Sequence, residues 1–247
     1  MSQQNVWRLI DTGEMSGKFN MDFDLKLLSA AEKGEIKPTL RFYRWEPATV
    51  SLGCTQKAEE EVNGDFCKKA GIDIVRRPSG GGAIFHEDEI TYSFTAAIIE
   101  HPAFADLLGS YYAIIDGLLK GLQKLGIKVE VRAGKSSGPE RYLPCFSLSS
   151  RHDLVVNGKK IIGSAQRRKK NAFLQHGSIP LSYNPELVSS VFLKPEGFFE
   201  KATSLSEILG HQPADSEVKN ALIKGLEEVF EVKFISSSFS SSSNIHL

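Results

Sequence analysis

Apolar positions recur along this chain with two periods, and the switches between them lay out the elements. Met21, Leu25 and Leu28 fall at helical spacing, so the pattern predicts a first helix over 20–33. Residues 40–45 and 49–52 read as strands separated by Pro47. Residues 58–70 read as a charged helix with Val62 and Phe66 on one face, stopped by Gly71. Strands follow over 72–77, 83–86 and 91–99. The strongest helical pattern runs over 102–125, where Tyr111, Ile114, Ile115, Leu118, Leu122 and Leu125 share a face and Gly126 ends it. Residues 127–131 alternate as a half-buried strand. Residues 133–144, rich in Gly, Ser and Pro, read as a loop. Strands over 152–156 and 160–163 flank Asn157-Gly158, a strong hairpin signal. Residues 172–181 form another strand. Beyond Pro185 the chain turns helical, ending on a helix marked by Val218, Leu222, Leu226 and Val229. Residues 236–243 are mostly serine and are expected to be disordered.

Helices that alternate with hairpins rather than with single strands favour an α+β fold, with a mixed, largely antiparallel sheet flanked by helices. The 247 residues suit one catalytic domain over 1–235 with a Ser-rich tail over 236–247, large enough to bury a core without staples. Lys+Arg and Asp+Glu each total 30, so no global field favours nucleic acid. The local exception is Arg167-Arg168-Lys169-Lys170. Cys54, Cys67 and Cys145 are odd in number and contain no CxxC pair, which argues against a disulfide framework and a zinc site and fits a reducing compartment. Residues 1–13 carry Arg8 and Asp11 and no apolar signal region, and the longest uncharged apolar stretch, 90–99, is too short to span a bilayer. The expectation is a soluble cytoplasmic protein without metal.

Candidate chemistry concentrates in the run Arg76-Arg77-Pro78-Ser79-Gly80-Gly81-Gly82-Ala83-Ile84-Phe85-His86. Three glycines let backbone approach a ligand closely, and paired guanidiniums beside exposed N–H groups suit an anionic or carbonyl-bearing ligand. The run lacks the Gly-Lys-Ser/Thr of a phosphate loop, and Phe85 occupies the third-glycine position of a dinucleotide fingerprint. Each Arg suits an ion pair with a nearby carboxylate equally well. Cys145 follows Pro144 at the end of a polar loop near Lys135, Arg141, Arg151 and His152. These cations would lower a thiol pKa, yet local sequence suits an inert loop thiol better. Cys54 and Cys67 read as packing residues. Strand alternation sends Lys159 and Lys160 to opposite faces, one to water and one to the interior or a cleft. Gly163-Ser164-Ala165 leaves room beside the backbone, for a ligand or for close sheet packing. Gly177, in His176-Gly177-Ser178, reads as a strand bulge. His176 reads as a site residue or, more commonly, a satisfied core histidine, and His86, His101, His211 and His246 lack metal-ligand spacing.

Three ordered segments together resemble the biotin/lipoate protein ligase superfamily over about residues 20–210: Arg76 to His86 followed by Ile90-Thr91-Tyr92-Ser93, then Lys160-Ile161-Ile162-Gly163-Ser164-Ala165, then Gln175-His176-Gly177-Ser178. The resemblance implies that superfamily's catalytic-domain fold. Pro144-Cys145-Phe146, then Asp153 to Lys160, then Gly163 to Arg168 resemble the cysteine-dependent octanoyltransferases of lipoate assembly. That likeness implies that Cys145 is the nucleophile and that Lys160 lowers its pKa. It also implies an octanoyl-acyl carrier protein donor, a lysine acceptor on a lipoyl domain such as the glycine cleavage H protein, and no cofactor. Substrate would meet Arg76, Arg77, Ser79, Gly80, Gly81, Gly82, His86, Gly163, Ser164, Ala165, His176 and Gly177, with Ile84, Phe85 and Ile162 lining the acyl tunnel. Gly82 is ligase-like, because octanoyltransferases commonly place Arg there. Two alternatives therefore stand beside this reading: an ATP- and Mg-dependent lipoate ligase, and a non-catalytic carrier-protein or lipoyl-domain binder.

Overall fold

A computed structural model of the chain describes residues 5–132 and 153–237. The order is β1 (Asn5–Met15), α1 (Gly17–Glu32), β2 (Thr39–Trp45), β3 (Thr49–Leu52), α2 (Ala58–Glu61), α3 (Gly64–Ala70), β4 (Asp73–Arg76), β5 (Ile84–His86), β6 (Glu89–Ala97), α4 (Leu107–Lys124) and β7 (Glu130–Val131). There follow β8 (Leu154–Val156), β9 (Lys159–Arg168), β10 (Ala172–Pro180), α5 (Pro185–Val191), α6 (Phe198–Lys201), α7 (Leu205–Leu209), α8 (Asp215–Phe230) and β11 (Val232–Ser236). Among the described residues the larger sheet runs β11-β1-β2-β6-β10-β9-β8-β7, and a smaller one runs β4-β3-β5. In the larger sheet β1 pairs in parallel with β2 and β11 and the run β2-β6-β10-β9-β8-β7 is antiparallel, while β3 pairs in parallel with β4 and antiparallel with β5 in the smaller one, so the expected α+β class with a mixed sheet is what the chain adopts.

The two faces of the larger sheet carry different cores. One face packs on α4 and α8, where Leu118, Leu122 and Leu226 are fully buried against Phe94, Phe104 and Phe173. Each such side chain contributes about 1.5–3 kcal/mol through the apolar area it removes from water. The two helices touch backbone to backbone: a Cβ on Gly225 would lie 2.2 Å from Gly117 O. The other face packs on α1 through Leu27, Leu28, Ala172 and Leu174, and beside α1 on the smaller sheet. The site lies between that sheet and this second face.

Several elements differ from the sequence pattern for local reasons. The 58–70 helix is two helices, because Val62 leaves the helical region at φ −128°, ψ 148° and bridges to Phe192. Asn63 then caps α3 by accepting from Phe66 N. The 102–125 helix begins only at Leu107, after a 3-10 turn over Pro102–Phe104, with Asp106 accepting from Gly109 N as its cap. The 127–131 strand shrinks to two paired residues. β1 escapes the periodicity because its register shifts between Asp11 and Glu14, with Gly13 at φ 62°. β11 places Ser236 opposite Leu9, so the start of the serine run is paired backbone rather than tail. Residues 238–247 lie outside the described residues.

Candidate active site

The glycine loop is held by the arginine that precedes it. Arg77 is 3% exposed, and its Nη2 donates to Gly80 O and Gly82 O at 2.7 Å each, while Nη1 donates to Ser51 O at 2.9 Å. One guanidinium thus ties the turn to β3 through the loop's carbonyls. Arg76 points the other way, as strand alternation requires, and is exposed. Its Nη1 donates to Gly53 O at 3.0 Å and Gln56 O at 2.6 Å. Both arginines spend these bonds on backbone carbonyls. Gly53 is required at the base of the loop, since a Cβ there would lie 2.1 Å from Gly81 O. Gly81 itself sits at φ 93°, where a side chain would be strained.

The opposing wall is the β9–β10 hairpin. His176 pairs with Ala165, Gly177 with Ser164 and Ser178 with Gly163 in unbroken register, so Gly177 is not a bulge. It is glycine because a Cβ would meet Gly163 O and Tyr92 Cε1 at 2.6 Å each. Tyr92 Oη lies 2.7 Å from Ser164 Oγ, and burial pushes its pKa up to about 12, so it remains a neutral phenol.

Two histidines join the walls. His176 Nε2 lies 2.5 Å from Ser79 Oγ, and its Nδ1 faces Asp24 Oδ2 at 3.6 Å. Burial lowers the His176 pKa, with Arg77 and His86 acting in the same direction and Asp24 opposing, so the ring is neutral near pH 7. With Nδ1–H turned to the carboxylate, Nε2 accepts the Ser79 proton. Burial by itself would raise the Asp24 pKa. Arg41, His176 and Ser93 outweigh it and hold the carboxyl below its usual range. Arg41 Nη1 reaches Asp24 Oδ1 at 2.8 Å with both side chains at 0% exposure. His86 Nε2 lies 2.7 Å from Ser51 Oγ, and its ring stacks on Trp45 at 4.0 Å between centroids. Its Nδ1 stands 3.1 Å from Glu89 Oε1, off hydrogen-bond alignment.

Between the walls is a narrow cavity of about 20 Å³, little more than the space of a water molecule. Arg77, His86, Gly163, Ser164, Ala165, His176 and Gly177 line it, together with Ser51, Thr91, Ser178 and the apolar Met21, Tyr43, Trp45 and Ile84. Ser79, Gly80, Gly81, Gly82 and Arg76, expected to meet substrate, are not part of this lining. Phe85 packs instead with the smaller sheet's core, and Ile162 with the core under α4. Lys160 is buried as alternation required of one lysine, with Nζ 2.9 Å from Asp153 Oδ1, while Lys159 pairs with Glu207. The Lys160 ammonium is not part of the cavity lining; it lies three residues before Gly163 on the same strand. Cys54 is exposed rather than packed, Cys67 is buried, and Cys145 lies outside the described residues. No group of three or more metal-ligating side chains occurs among the described residues, and no helix there is long and apolar enough to cross a membrane.

The pattern did not single out Asp24, Arg41, Glu89, Trp45 or Met21 as site residues. Arg41 carried a signal: a cation between Leu40 and Phe42 in an otherwise apolar strand needs a buried partner.

This geometry, with Arg77, His86 and His176 facing a Gly-Ser-Ala hairpin strand and apolar side chains beside them, suits a polar group with apolar surface next to it. The profile of the lipoyl protein ligase A/B catalytic domain matches residues 16–227. The chain belongs to this family. Octanoyltransferase LipM of Carboxydothermus hydrogenoformans is 40% identical over 95% of this chain and 90% of its own length. That of Anoxybacillus flavithermus is 37% identical over 94% and 88%. Among solved structures, lipoate-protein ligase A bound with ATP superposes with a TM-score of 0.76 at 26% identity, covering 97% of this chain and 90% of that one. A bi-partite lipoate protein ligase from Thermoplasma acidophilum gives 0.75 at 25% identity, covering 96% and 88%.

Proposed function

We propose that octanoyl transfer in protein lipoylation, the activity this chain shares with its relatives, runs through a thioester on Cys145 with Lys160 as the supporting cation. The Cys145 thiolate attacks the octanoyl thioester of an acyl carrier protein; the carrier's thiolate leaves and octanoyl-Cys145 forms. The neutral amine of a lysine on a lipoyl domain, such as glycine cleavage H protein, then attacks that carbonyl. An amide forms, the lysine nitrogen loses a proton and the Cys145 thiolate is released. Thioester exchange is nearly balanced and amide formation is downhill, so no nucleotide enters.

The observation that carries this reading is the buried Lys160 ammonium, fixed by Asp153 on the strand that lines the cavity. A positive point charge there favours a thiolate or an oxyanion arriving beside β9. Met21, Tyr43, Trp45 and Ile84 supply an apolar end for the hydrocarbon. Burying the six methylenes of an octanoyl chain is worth about 5 kcal/mol at ~0.8 kcal/mol each. Backbone N–H groups of the glycine loop suit a developing oxyanion.

The test is transfer from octanoyl-acyl carrier protein to a lipoyl domain without ATP, followed by mass spectrometry. The expected products are octanoyl-lipoyl domain and, with acceptor withheld, one octanoyl increment on Cys145. Transfer that persists in Cys145→Ala, or that needs free octanoate and ATP, overturns the reading. The second outcome would favour the lipoate ligase to which Gly82 points. Carrier binding without any acyl increment would leave a binding module.

A further inference from the structure

The turn of the β9–β10 hairpin carries four consecutive cations, and the fold uses them differently. Arg168 turns inward, donating to Phe104 O and, at 3.1 Å, to Ser110 Oγ. Lys169 pairs with Glu32 at 2.7 Å. Arg167 and Lys170 are exposed and have no carboxylate partner among the described residues. Strand alternation puts Arg167 on the face of Gly163 and Ala165, two residues past the cavity wall, or about 7 Å along the strand.

Uncovered apolar side chains flank the same turn. Ile99 is 87% exposed, the most exposed large aliphatic among the described residues, and its neighbour Ile98 donates from N to Asn171 O. Leu107 and Leu108 are 51% and 56% exposed at the start of α4, beside the Phe104 and Ser110 groups that anchor Arg168. Of the carboxylates nearby in sequence, Asp106 is committed to capping α4 at Gly109 N, and Glu100 adjoins Ile99. Large aliphatics left in water at the same end of the hairpin as exposed cations match an apolar contact flanked by charge, the usual anatomy of a protein interface.

We propose that this hairpin end is the docking surface for the donor, an acidic carrier protein presenting the octanoyl thioester. Carboxylates of the carrier meet Arg167 and Lys170, its apolar side chains cover Ile99, Leu107 and Leu108, and its thioester arm enters along β9 past Ala165. The proposal rests on the reading of octanoyl transfer from a protein-bound thioester and adds where that protein sits.

The test compares two donors and one binding measurement. In Arg167→Glu/Lys170→Glu, and separately in Ile99→Ser/Leu108→Ser, KM for octanoyl-acyl carrier protein rises about 10-fold or more, as expected for reversed steering and a lost apolar contact. Turnover of octanoyl-N-acetylcysteamine, which has no carrier, stays within about twofold of the parent. Direct binding of the carrier weakens by the same factor, and the parent's affinity falls as salt is raised. A KM rise equal for both donors, a rise confined to the lipoyl-domain acceptor, or unchanged carrier binding overturns the surface. A change in oligomeric state on Ile99→Ser/Leu108→Ser does so as well, by giving the patch to a second copy. A parent that turns over no thioester refutes the reaction instead, and carrier binding still decides the surface.

Discussion

Asp24 and Glu89 both back the cavity and both reach a serine through a histidine, but they are neutralised by different means. Asp24 faces the Arg41 guanidinium, which also stacks 3.9 Å from the Tyr43 ring centroid. Glu89 is surrounded by neutral donors: Trp45 Nε1 at 2.8 Å, Thr91 Oγ1 and Ser178 Oγ. Each chain of groups crosses from the larger sheet to the smaller one once, at His176–Ser79 and at Glu89–His86. The first ends on the glycine loop and the second on β3. The Arg41–Asp24 ion pair therefore backs the contact to the loop, whereas neutral donors back the one to β3, which the Arg77 guanidinium also holds.

The largest expected effect tests that distinction directly. Asp24→Asn leaves the Arg41 charge buried without compensation and is expected to cost about 3–5 kcal/mol. Glu89→Gln keeps a neutral acceptor among neutral donors and is expected to cost about 1–3 kcal/mol. Urea denaturation at pH 7 measures both; equal losses would abolish the contrast.

The loop itself offers a sharper comparison. Gly53→Ala drives a methyl to 2.1 Å from Gly81 O, so the turn must move. We expect about 1–3 kcal/mol of destabilisation and at least tenfold slower octanoyl transfer. Gly80→Ala meets nothing within 4 Å and is expected to stay within about 0.5 kcal/mol of the parent. Reversal of that order would mean that the Arg77 clamp, not the Gly53 contact, sets the loop.

Much of this arrangement was legible where the signal is local. The glycine run, the Asn157-Gly158 turn and the Lys159/Lys160 alternation each depend on neighbours within a few residues, and each appears where expected. What escaped depends on partners far away in the chain. β1 and β11 pair across more than two hundred residues, and a half-exposed strand with a shifted register has no clean period. Asp24 on a helix resembles any solvated acid until Arg41 and His176 arrive from β2 and β10. Arg76 and Arg77, treated as a pair by motif, act on opposite sides because the strand separates them.

The smallest effect is a pH dependence that assigns the ionic state of the Asp24 arm. Burial holds the His176 pKa below 6.5, whereas the unfolded ring titrates at its ordinary value. Above about pH 6.5 neither state binds the proton and stability is complete. As pH falls below that value the unfolded chain takes a proton that the native ring refuses, and stability drains by at most about 1.4 kcal/mol per unit until the native pKa is passed. Asp24, held below its ordinary 3.8, stays ionised through this window and adds no slope. His101, also lowered by burial, adds slope of the same sign and remains in any His176 variant, so the difference between two proteins is the measurement. The stability of His176→Gln is expected to fall less steeply than the parent's between pH 6.5 and 5, by up to one proton. A parent that falls less steeply than the variant would mean that His176 is already protonated in the folded protein. Its Nε2 would then donate to Ser79, and the serine proton would be available to the cavity instead.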